Sequence, residues 1–223
     1  STIEQLGRDL DAVLRAVAPE GPVALVGHSM GGMTIMALAE QRPELFRDRV
    51  RAVALIGTAA HSVAAAGLPR AWLSRVNPVP RGLALLSSLQ PDLVERTRRV
   101  GDGITWRLIR SLSFGARAIS PAVVDLMAEM IGATTVEVVT DFLETISLHD
   151  RKTALAALRT CEVLVLSGDA DRVTPFSPHA EALAAELPDA TLVRVEGAGH
   201  PVMLERPELV TEQLTALLRR AVG

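Results

Sequence analysis

Four short aliphatic runs, each set between stretches of helical periodicity, constrain the fold of this chain more than any other feature. They are Pro22 to Val26, Arg49 to Ile56 (RVRAVALI), Cys161 to Leu166 (CEVLVL) and Thr191 to Val195. Runs this apolar suit strands buried on both faces, and strands separated by helices build a parallel sheet. Ile3, Leu6, Leu10, Val13, Leu14 and Val17 recur at helical spacing and predict a helix over 2–18, with Ser1-Thr2-Ile3-Glu4 as its capping box. Further helices are expected over Gly31 to Gln41, Pro178 to Leu187 and Pro207 to Ala221. The expected fold class is α/β, a mostly parallel sheet with helices on both faces.

One stretch breaks the rhythm. Residues 61–150 carry Pro69, Pro78, Pro80, Pro91 and Pro121 as punctuation. Their apolar positions, such as Val123, Val124, Met127, Met130 and Ile131, have helical spacing. A connection of this length is too long for an ordinary loop. The expected organisation is a core of residues 1–60 and 151–223, with 61–150 inserted as a helical cap.

The first run leads into Gly27-His28-Ser29-Met30-Gly31, and a helix follows at once. A serine on so sharp a strand-to-helix turn is strained, and the positions two residues either side are expected to need glycine. The helix would aim its free N–H groups and positive end at the serine, favouring a developing oxyanion. Three fixed residues occur by chance in about one chain in ten of this size. The weight of the pattern therefore rests on its strand-and-helix context.

A serine hydroxyl is a poor nucleophile until a base takes its proton, and that base needs a carboxylate to orient it. Gly168-Asp169-Ala170-Asp171-Arg172-Val173-Thr174-Pro175 follows the third run, and Gly197-Ala198-Gly199-His200-Pro201 follows the fourth. Sites in open α/β sheets lie beyond the carboxyl ends of the strands, so all three segments can converge there.

Together, GHSMGG, GDADRVTP and GAGHPVMLERPE resemble the α/β-hydrolase superfamily, and within it the bacterial capped esterases and lipases. The resemblance implies Ser29 as nucleophile, His200 as general base and acid, and Asp171 as the orienting carboxylate. It favours Asp171 over Asp169, since family members place the acid three residues after the strand-ending glycine. The backbone N–H of Met30 would form half of the oxyanion hole. The second donor usually comes from a loop after an earlier strand, which this chain does not show. The family's sheet also has more strands than the four found here. The chain is therefore expected to be the C-terminal portion of a longer hydrolase, with a missing N-terminal segment or a second chain completing the sheet.

The resemblance implies cleavage of a small, partly hydrophobic ester through an acyl-enzyme, with no cofactor. A thioesterase, lactonase, carbon–carbon hydrolase or perhydrolase could use the same residues. A non-catalytic binding protein or an inactive fragment of the fold are the rivals from other classes.

The remaining features are plainer. A net charge of −3 and no tyrosine give no footprint for nucleic acid. No apolar stretch is long enough to span a bilayer. Cys161 is the single cysteine, which suits a reducing interior, so the cytoplasm is the expected compartment. Cys161 itself reads as a small hydrophobe. His28 is expected to pack or hydrogen-bond within the turn. His61, His149 and His179 read as surface or cap residues, without metal-ligand spacing. Trp106, Met127 and Met130 fit an acyl pocket or core packing equally well. Arg96, Arg98 and Arg99 read as a solvated helix face.

Overall fold

The computed structural model describes residues 2–62, 106–107, 109–115, 119–134 and 136–223. The expectations for Arg96, Arg98 and Arg99 lie outside the described residues.

Helix α1 (Ile3–Val17) begins at Thr2, whose Oγ1 accepts from the Gln5 N–H at 3.2 Å. The cap is thus Thr2 rather than Ser1, and Thr2-Ile3-Glu4-Gln5 is itself a capping-box pattern. Starting there puts Ile3, Gly7 and Leu14 on the buried face. Strand β1 (Val23–His28) leads into helix α2 (Met30–Gln41). After the short helix α3 (Pro43–Asp48) come β2 (Val50–Ile56), β3 (Glu162–Gly168) and β4 (Thr191–Val195). The sheet has the order β1-β2-β3-β4, and every pair is parallel.

Alternate residues of the apolar strands serve opposite layers. Leu25, Val53, Leu55, Val163 and Val165 join a cluster with Ile35, Met36, Leu38 and Phe46, on the side of α1 and α2. Ala52, Ala54, Ile56, Leu164 and Leu166 face the last helix, Pro207–Val222, through Val210 and Leu217. Among the described residues β1 pairs only with β2, and Val26 is 56% exposed on the outer face.

The register aligns the carboxyl ends. His28 lies opposite Ile56, Ile56 opposite Leu166, and Leu166 opposite Val193. The loops that follow all four strands therefore open on one edge of the sheet.

Residues 121–132 and 136–147 are helical, as their spacing predicted. Where the chain leaves the core near residue 60 it meets its own return near 150. The Arg151 N–H donates to Ala60 O at 2.7 Å, Ser62 Oγ donates to Ser147 O at 2.7 Å, and His149 Nε2 donates to Ala59 O at 3.1 Å. Trp106 and Met127 pack on buried Ile109, Phe114 and Val124, which favours core packing for both, while Met130 is 64% exposed.

Three expectations need correction. His179, outside the 61–150 segment, is buried rather than at the surface, and His149, inside that segment, is buried too. The helix expected from Pro178 begins as a π-helical turn, Ser177–Glu181, before the α-helix Ala182–Glu186. Cys161 precedes β3 rather than beginning it; it still packs, partly buried, against the core as a small hydrophobe, with its Sγ 3.1 Å from Val50 O.

Candidate active site

At the end of β1 the backbone turns abruptly. Ser29 has φ 52° and ψ −119°, the one positive φ outside glycine among the described residues. Such a conformation costs on the order of 1–3 kcal/mol and persists only where the surroundings over-determine it. Here the Ser29 N–H donates to Ile56 O at 2.9 Å, and Ser29 O accepts from the Gly32 N–H at 3.0 Å and from Thr58 Oγ1 at 2.7 Å.

The glycine requirement is real but shifted by one residue. A Cβ on Gly27 would lie 2.6 Å from the Gly31 carbonyl, so position 27 must be bare. At Gly31 a Cβ would meet nothing within 4 Å, contrary to expectation. The crowded position is Gly32, where a Cβ would lie 2.6 Å from the Thr58 side chain. The backbone of the first turn of α2 sets the first constraint; Thr58, in the loop after β2, sets the second.

Ser29, Asp171 and His200 come together. His200 Nε2 lies 2.9 Å from Ser29 Oγ, and His200 Nδ1 lies 2.9 Å from Asp171 Oδ2. An ionised carboxylate only accepts, so the His200 proton sits on Nδ1 and Nε2 offers its lone pair to the serine hydroxyl. Asp171 also accepts from the Val173 N–H at 2.7 Å, the Thr174 N–H at 2.9 Å and Thr174 Oγ1 at 2.8 Å. Burial pushes the Asp171 carboxyl up. The His200 hydrogen bond and charge, with the Thr174 donors, outweigh that and hold it below its usual range. Asp169 takes a different part: its Oδ1 accepts from the Gly197 N–H at 2.7 Å and shapes the turn before His200.

Several supporting residues were not legible as a set. The His200 N–H donates to Ser113 O at 2.7 Å, and the Gly199 N–H donates to buried Glu205 Oε1 at 2.6 Å. His28 Nε2 donates to His200 O at 3.0 Å. Thr174 had a local signal, because an Asp accepting from residues two and three ahead is an Asx turn. Ser113 had none, since its partner is distant in sequence, and Glu205, six residues from Gly199, follows no standard turn spacing; His28 bonds outside the turn expected for it, to the His200 carbonyl. The Met30 N–H opens α2 beside Ser29 and has no acceptor among the described residues.

The sequence profile described as "Alpha/beta hydrolase family" matches residues 2–213. Among solved structures, the chain superposes on an esterase from Thermogutta terrifontis with a TM-score of 0.72 at 27% identity, covering 99% of this chain and 73% of that one. A carboxylesterase structure from Nitrososphaera gargenis gives a TM-score of 0.69 at 19% identity, covering 100% and 73%. Among curated proteins, polyketide synthase ThaQ of Burkholderia thailandensis is 29% identical over 217 residues. That match takes in 97% of this chain but spans only 9% of the synthase's length.

Proposed function

The chain belongs to the alpha/beta hydrolase family, and from that premise we propose that it is a serine hydrolase of carboxylic esters. The observation that carries this reading is the unbroken hydrogen-bond chain from Ser29 Oγ through His200 to Asp171, each link 2.9 Å long. The 27% identical esterase structure supports the same substrate class.

In the reaction, Ser29 Oγ attacks the ester carbonyl while its proton passes to His200 Nε2. Asp171 stabilises the imidazolium and holds Nδ1–H in place. The Met30 N–H, at the positive end of α2, stabilises the oxyanion. His200 returns its proton to the leaving alkoxide, and the acyl group stays on Ser29. Water, deprotonated by His200 Nε2, then attacks the acyl carbon; the bond to Ser29 Oγ breaks as His200 returns the proton to that oxygen, and the acid is released. In the same proposal the 61–150 insertion has the role of a cap; its described end is tied to the core through His149, which bonds Ala59 O.

A second reading is the same chemistry on a thioester, favoured by the likeness to a stretch of a polyketide synthase. The hydrogen-bond chain needs no change for it, and a thiolate leaves more readily than an alkoxide. Hydrolysis of p-nitrophenyl esters of graded chain length, set against matched acyl thioesters of N-acetylcysteamine, tests both. The ester reading expects the higher kcat/KM on the esters, and a fall in kcat of about 10⁶ in Ser29→Ala. Ester turnover unchanged in Ser29→Ala would end both readings.

A further inference from the structure

His28 precedes the serine, and its ring reaches across to the base. The His28 and His200 ring centroids are 4.7 Å apart at an interplanar angle of 48°. A carbonyl only accepts, so the 3.0 Å bond to His200 O fixes the His28 proton on Nε2. Every polar atom of His200 is then held. Its N–H goes to Ser113 O, its Nδ1–H to Asp171, its Nε2 to Ser29, and its carbonyl to His28. Of these bonds, only the one from His28 ties the main chain of the base to the strand that carries the nucleophile. The chain around the pair leaves room for it: Gly57, at φ +50°, has His200 O and the His28 ring within 3.5 Å of where a Cβ would be.

We propose that His28 is a positioning residue: it donates from Nε2 to the His200 carbonyl and holds the imidazole over Ser29 Oγ as a neutral donor. This rests on the serine-hydrolase reading above for its effect on rate. Neutrality matters because His200 becomes cationic when it takes the serine proton, and a second cation in ring contact would oppose that step. Burial, then the charge of His200, holds His28 at about 4, while Asp171 acts in the opposite direction. His28 is therefore uncharged at neutral pH.

Two substitutions separate donor from volume. His28→Phe keeps an aromatic ring and loses the donor; His28→Gln keeps an N–H of similar reach and loses the ring. We expect His28→Phe to lower kcat by roughly 10- to 100-fold, the cost of a small misplacement of a catalytic group. KM should stay within about two-fold, and His28→Gln should restore most of the rate. A readout independent of turnover is the downfield proton resonance of His200 Nδ1–H on Asp171. It should shift or broaden in His28→Phe and persist in His28→Gln. An unchanged resonance in His28→Phe, or equal losses of rate in both variants, would overturn the proposal. A wild-type protein without ester hydrolysis would instead count against the serine-hydrolase reading, and the resonance would still decide the role of His28.

Discussion

Two pairs of histidines sit in ring contact near the ends of the strands, and they differ in one respect. His28 and His200 have centroids 4.7 Å apart at 48°; His61 and His179 have centroids 5.0 Å apart at 40°. The geometry of the rings is nearly the same. His200, however, has a partner on each nitrogen, whereas buried His179 has none on either among the described residues. Ring contact and burial do not make a base. A carboxylate on one nitrogen and a hydroxyl on the other do.

The most severe way to break the comparison is to make His200 resemble His179. Asp171→Asn keeps the shape and removes the charge that fixes Nδ1–H, and it should lower kcat by about 10⁴ in steady-state ester hydrolysis. The fold should survive, since the Asn carbonyl can still accept from the N–H groups of Val173 and Thr174. A loss of less than ten-fold would mean that Asp171 does not orient the base.

Acid stability sharpens the same contrast. Burial first, with the charge of a neighbouring histidine, holds His28 and His179 at about 4 rather than 6.5, and burial does the same for His149. Between those values the unfolded chain binds protons that the folded chain refuses. Stability is therefore complete above about pH 6.5 and falls as pH drops toward 4, with a slope of about 1.4 kcal/mol per pH unit per histidine. The lowered Asp171 carboxyl adds a further loss at still lower pH, as it is protonated. Urea melts from pH 7.5 to 4.5 measure this, and a flat profile would contradict the buried, neutral state of these rings.

His179→Phe gives the smallest effect. It removes two buried nitrogens that lack partners, so stability at pH 7 should stay level or rise by about 1 kcal/mol. Ester hydrolysis should change less than about two-fold, and the acid slope should lose one histidine's share. A large loss of activity would give the second pair a function like the first.

What the sequence disclosed follows the reach of each interaction. The strands and the sharp turn at Ser29 were legible because each depends on neighbours in the chain, whereas the grouping of Ser29 with Asp171 and His200, which joins residues 171 positions apart, was implied by the resemblance. Strand ends moved by only a residue or two; β1 runs on to His28 because pairing with Ile56 continues to that point. The choice of Gly31 failed because the crowding comes from Thr58, a contact across strands that no local pattern records. Burial of His149 and His179 was hidden for the same reason. So was the bond from His28 to a carbonyl 172 residues away.

Labelling with a fluorophosphonate, followed by peptide mapping, tests the central claim most directly. The adduct should fall on Ser29 in the native protein, and its rate of formation should collapse in His200→Ala although the serine remains. An adduct on another residue, or equal labelling rates in the two proteins, would contradict the account.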